Sequence, residues 1–158
     1  MRDLSRIGDF IFETVMEKEG KKMHTITVPA SVDQIRPVTD FVNIRLKELG
    51  CSDRIRIQID VAIDEIFGNI ARYAYDPETG PATVCVDVEE DPLCVIITFI
   101  DRGKPYDPLA AEIRDTTALP AAERPIGGLG LFMVKKTMDD ISYTYRNGQN
   151  ILTIRKKV

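Results

Sequence analysis

The segment LCVIITFID, residues 93–101, is apolar at every position except Thr98 and Asp101. A run this short and this rich in β-branched residues forms a strand covered on both faces, the central strand of a sheet. It needs neighbours on both edges and a layer of helices. ATVCVDVEE, residues 82–90, sets Val84, Val86 and Val88 on one face by alternation. ISYTYRNGQNILTIRKK closes the chain as a hairpin turning at Asn147-Gly148. MHTITVP adds a short strand from Met23.

Two helices precede this strand-rich half. One lies within residues 31–50, with Ser31 as N-cap, Gly50 as stop and Ile35, Val38, Val42, Leu46 and Leu49 at helical spacing. Pro37 calls for a kink or a later start. The second runs from about Ser52 to Tyr75, turning Ile55, Ile59, Ala62, Ile63, Ile66, Ile70 and Tyr73 inward. A third covers about Leu129 to Met138. Helices early and strands late give an α+β class: a two-layer sandwich of a mixed, mostly antiparallel sheet with helices on one face.

Residues 1–22 carry Leu4, Ile7, Phe10, Ile11 and Val15 on a helical stripe, so an appended helix is expected before a domain spanning 23–158. Met23 could itself begin that domain, which leaves the segment as an appendage, an interaction helix or an artefact of the assigned start. The net charge of −4 gives no global attraction to nucleic acid or an anionic membrane, and neither is expected as a direct partner. The three cysteines have no metal-ligand spacing, and with one histidine they argue against zinc. There is no signal peptide and no membrane-length apolar run, so a reducing, cytoplasmic setting is expected.

Three blocks carry chemistry. Glu65 and Asn69, four apart on the second helix, share a face that Arg72 continues. A carboxylate there can deprotonate a nucleophile, and an amide oxygen can complete a magnesium shell. Taken alone the pair is also an ordinary polar helix face. Asp101 ends the central strand, where it could accept from an exocyclic amine, and Gly103 would let a flat ring approach the backbone. Asp-x-Gly is equally good turn chemistry. Finally GGLGL, Gly127 to Leu131, opens the third helix. Glycines at a helix start fit a plain junction or a cradle of N–H groups for phosphate. No Walker lysine follows, and the dinucleotide spacing is missing.

In this order the blocks resemble the GHKL (Bergerat-fold) ATPases, and most of all the stand-alone anti-sigma serine/threonine protein kinases of bacterial partner-switching systems. AIDEIFGNIARYAYDP, FIDRGKPYDP and PIGGLGLFMVKKTMDDISYTYRNGQNILTIRK carry the likeness, which runs from about Met23 to the C-terminus. The resemblance implies ATP and Mg2+ as cofactors. It implies Asn69 as magnesium ligand, Glu65 as base or water-orienting residue, and Arg72 near phosphate. Asp101 would receive the adenine amine with Gly103 beneath the ring. Residues 108–126 would form a lid, and Gly127, Gly128, Leu129, Gly130 and Leu131 would bring N–H groups to the phosphates.

Two features depart from that family. Its final hairpin often carries Gly-Thr where this chain has NGQNILT, so either Asn150 substitutes through its amide or Thr153 lies too far along to help. Tyr73 stands near where many relatives have histidine, and His24, on a strand-like segment, is the only histidine, so a complete histidine kinase is not expected. The resemblance implies γ-phosphate transfer to a small STAS-type antagonist, a sigma factor as second partner, and a homodimer. Dimerisation would also cover the stripe of residues 4–15. The competing expectation is a nucleotide-binding regulatory module without meaningful phosphotransfer.

Overall fold

A computed structural model describes residues 2–6, 11–18, 21–110 and 128–158. Its strands are β1 (Arg2–Arg6), β2 (Ile11–Lys18), β3 (Lys21–Pro29), β4 (Pro81–Glu89), β5 (Cys94–Asp101), β6 (Asp140–Arg146) and β7 (Gln149–Lys157). They form one sheet in the order β1-β2-β3-β4-β5-β7-β6. Every described pair is antiparallel, which resolves the mixed-sheet alternative. The apolar strand β5 lies between β4 and β7, as its composition requires.

The helices α1 (Ile35–Glu48), α2 (Asp53–Asn69) and α3 (Gly128–Thr137) supply the second layer. Val38, Val42 and Leu46 of α1 and Ile59, Ala62, Ile63, Ile66 and Phe67 of α2 are buried. They meet Ile26, Val28, Val84, Val86, Ile97, Phe99 and Ile154 of the sheet in one core. Each such aliphatic or aromatic side chain contributes about 1.5–3 kcal/mol on full burial. Alternate residues Ile96, Thr98 and Ile100 of β5 are only half-buried, so they mark the face away from the helices.

Local signals explain the boundaries. A single 3-10 turn, Val32–Gln34, precedes α1, so Pro37 falls in the first helical turn, where its missing N–H costs nothing. Gly50 adopts φ +71°, and the N–H groups of Gly50 and Cys51 return to the carbonyls of Lys47 and Leu46. That pair closes α1 in a Schellman motif. The Ser52 hydroxyl accepts from the Ile55 N–H at 3.3 Å and caps α2. After Asn69 the chain widens into a π turn, Ile70–Ala74. The wider winding rotates the side chains within it, and Tyr73, expected inside, is 60% exposed.

The expected N-terminal helix is a correction. Residues 2–6 and 11–18 are strands, with β2 pairing to β3 from Phe12↔Thr27 to Lys18↔Lys21. Two forces oppose the helix: Ile11, Phe12, Thr14 and Val15 favour extended backbone, and the outer edge of β3 has N–H and C=O groups to satisfy. With the helix gone, no helical stripe is left to call for a dimer partner. No described helix is long and apolar enough to cross a membrane.

Candidate functional site

The end of α2, the loop after β5, the start of α3 and the β6–β7 hairpin enclose a cavity of about 320 Å³. Its walls are mostly apolar, with Ile66 and Ile70 on one side and Phe99, Leu131 and Leu152 on others. Such a volume lies at the lower end of the range for small-molecule pockets.

Asp101 closes one end. It is 5% exposed, and its Oδ1 accepts from the Gly103 N–H and the Asn150 Nδ2, both at 2.9 Å. Both donors meet the same oxygen, and among the described residues none donates to the second. Asn150, 6% exposed, is held from every side. Its Nδ2 also donates to the carbonyl of Lys104 at 2.9 Å, and its Oδ1 accepts from the Tyr106 N–H at 3.1 Å and the Tyr143 hydroxyl at 2.5 Å. One amide thus ties the buried carboxylate, the loop over residues 103–106 and strand β6 together. A buried amide this fully paired is stable and specific; half-paired, it would be costly.

The register makes this possible. Asp101 pairs across the ladder with Asn150, and Tyr143 pairs with Leu152. Counting outward from Asn147-Gly148, both at positive φ, yields the β6–β7 register alone: it sets Tyr145 opposite Asn150 and Tyr143 opposite Leu152, so the diagonal reach of Tyr143 to Asn150 was missed. Thr153 lies on the other face, 3.4 Å from Thr98, and takes no part.

Gly103 has a structural reason to be glycine in its backbone packing. A Cβ there would overlap the Ala74 carbonyl, and the Lys104 N–H donates to that same carbonyl at 2.8 Å. The loop therefore rests directly on the end of the π turn through Gly103, which is itself outside the cavity lining. Tyr75 adds a second tie, donating to the Pro81 carbonyl at 2.5 Å and accepting from the Arg102 N–H at 2.7 Å.

Asn69, at the end of α2 rather than on the sheet, also lines the cavity. Glu65, one turn earlier, lies beyond the lining, half-buried against Gly130 on the first turn of α3. Burial pushes its carboxyl above the ordinary value; Asp64 adds to this and Arg72 opposes it. Arg72 is exposed and folds back along α2, with Nη1 2.7 Å from where a Cβ on Gly68 would be. Gly128 begins α3, Leu129 follows it, and Leu131 is 9% exposed in the cavity wall. Gly127 and residues 111–126 of the expected lid lie outside the described residues.

Asn69, Asp101, Leu131 and Asn150 therefore meet at one cavity, with Glu65, Gly103 and Gly130 directly behind its walls. Residues 28–156 match the family described as the histidine kinase-like ATPase domain. The chain belongs to that family. This agrees with the GHKL likeness of its motifs. The ATPase domain is also 27% identical over 116 residues to the serine-protein kinase RsbW of Bacillus mycoides, covering 69% of this chain and 72% of the relative. An RsbW of Bacillus cereus is 29% identical over 118 residues, with the same coverage. The serine/threonine-protein kinase BtrW of Bordetella bronchiseptica is 30% identical over 103 residues, covering 65% of this chain and 71% of the relative.

Proposed function

We propose that this ATPase domain binds ATP in the cavity and transfers the γ-phosphate to a serine or threonine hydroxyl of a small STAS-type antagonist protein. The observation that carries the reading is Asp101: a buried carboxylate in a mostly apolar slot, with one oxygen engaged and the other met by no donor among the described residues. An exocyclic amine on a flat apolar ring satisfies that oxygen while the ring fills the slot. The ring would lie among Ile66, Ile70, Phe99 and Leu152, with the phosphates toward Asn69 and the first turn of α3.

Among the described residues no cluster of three His, Cys, Asp or Glu could hold a metal. A site with one amide ligand suits magnesium, which keeps waters and phosphate oxygens around it. Asn69 would hold it, and the ion would supply neutralisation of charge on the phosphates. Glu65 would take the proton from the attacking hydroxyl. The hydroxyl oxygen then bonds to the γ-phosphorus, the bond from that phosphorus to the bridging oxygen breaks, and ADP leaves with the electron pair. Burial raises the Glu65 carboxyl above the ordinary glutamate value, which makes its carboxylate a stronger proton acceptor.

The names of the relatives support a serine or threonine acceptor. The antagonist, the sigma factor held in alternation with it, and control of transcription by partner switching follow from the resemblance and belong to the same proposal, as does a cytoplasmic setting. A second copy of this chain is a further proposed partner. Half-buried Ile96, Ile100 and Ile151 on the face away from the helices support it.

The test is incubation of the chain with γ-labelled ATP, Mg2+ and a STAS-type antagonist from the same genome. Label should pass to one hydroxyl of the antagonist. Glu65→Gln should slow transfer by about 10³-fold with ATP affinity changed less than about 3-fold. Tight ATP binding without transfer by the unsubstituted chain would overturn the kinase reading and leave a nucleotide-binding regulatory module.

A further inference from the structure

Gly130 is the third residue of α3, and its missing side chain makes room for a charged group. A Cβ there would overlap the carboxyl carbon and both oxygens of Glu65. At Gly103 the bare Cα admits backbone; at Gly130 it admits a carboxylate. The glutamate reaches it from α2, which packs against α3, and Asp64 of α2 and Arg72 of the following π turn are the charged groups that act on it. From α3 the contact itself is an uncharged glycine.

Glutamate has three rotatable side-chain bonds, and unsupported it samples many orientations. A base must hold its oxygen within hydrogen-bond reach of the proton it removes, and an error of about 1 Å can cost about 10²-fold in rate. Here the carboxylate is stopped by a surface with no side chain. We propose that Gly130 is a positioning residue, its bare Cα forming the seat that orients the Glu65 carboxylate toward the substrate hydroxyl. This rests on the reading of Glu65 as the base. It gives GGLGL a second task beside phosphate contact: the last glycine shapes the base rather than the nucleotide.

Gly130→Ala tests the seat. Alanine is a better helix former than glycine, so α3 is retained, and only the carboxyl must move. Mg-ATP affinity should change less than about 3-fold, while turnover falls about 10²-fold. The acidic limb of the rate profile should shift to lower pH, because the expelled carboxyl returns to water. In a Glu65→Gln background the same substitution should have almost no further effect on turnover, since residues acting as a unit are non-additive. A fall of equal size in both backgrounds, or turnover within about 2-fold of the unsubstituted chain, overturns the proposal.

A second readout needs no turnover. The carboxyl of carbon-13-labelled Glu65 should titrate at lower pH in Gly130→Ala than in the unsubstituted chain; an unmoved midpoint overturns the seat. If the unsubstituted chain transfers no phosphate, the kinase reading fails on its own and this titration still decides the contact. Should Gly130→Ala lower the melting temperature, adding Glu65→Ala should restore it, and failure to restore it counts against the seat.

Discussion

The two ends of the cavity are built by different means. At the Asp101 end, five hydrogen bonds from the protein converge on the amide of Asn150, and two meet on one carboxylate oxygen. At the Glu65 end, a half-buried carboxylate leans on a glycine, and Asn69 faces the cavity. The first end is braced by the protein's own hydrogen bonds before any ligand arrives. The second is arranged by steric fit and leaves polar groups available to phosphate and metal. Recognition needs a rigid template, whereas transfer needs groups whose strongest interactions form with the reacting species.

Substitutions should therefore cost stability at the first end and turnover at the second. The largest stability effect is expected from Asn150→Leu. It strips partners from Asp101, the Lys104 carbonyl, the Tyr106 N–H and the Tyr143 hydroxyl, and should destabilise the fold by about 3 kcal/mol in urea unfolding. A loss below about 1 kcal/mol would mean that the network does not hold that end together.

Gly103→Ala should follow at about 2 kcal/mol, because the methyl meets backbone at Ala74 and backbone yields less readily than a side chain. Equal stability of the two chains would contradict the close approach. It would also reopen the role beneath a bound ring.

The smallest effect is at Glu65. Burial raises its folded value above the unfolded one, so the folded chain holds that proton longer. Stability from this group is full below the ordinary glutamate value of about 4.3 and declines as pH rises through the higher folded value. In Glu65→Gln that slope should flatten in melting curves recorded against pH. An unchanged slope would contradict the burial of the carboxyl.

How far these differences could be read from sequence depends on the range of the forces involved. The α+β class, the central strand, the Asn147-Gly148 hairpin and the stop at Gly50 follow from short-range rules. The meeting of Asp101 with Asn150 does not, because it belongs to the β5–β7 pairing, which no tight turn sets. Gly103 and Gly130 were visible as glycines, but only the tertiary approach of Ala74 and Glu65 gives each its reason. The turn at Ile70–Ala74 swung Tyr73 outward, because a one-residue change in winding leaves no mark in an apolar period. The N-terminal strands were misread because Leu4, Ile7, Ile11 and Val15 fit a helical stripe in isolation. The open edge of β3 that recruits β2 exists only in the folded sheet.

The central claim is that Asp101 reads the ring of ATP from the finished end of the cavity. Calorimetric titration of Mg-ATP into the chain and into Asp101→Asn tests it most directly. The asparagine keeps Oδ1 as acceptor for Gly103 and Asn150 but replaces the spare oxygen with a donor. Saturable binding to the unsubstituted chain, weakened about 10- to 100-fold in Asp101→Asn with the fold intact, is the expected result. Equal affinity in the two chains, or no saturable binding by the first, would contradict the claim.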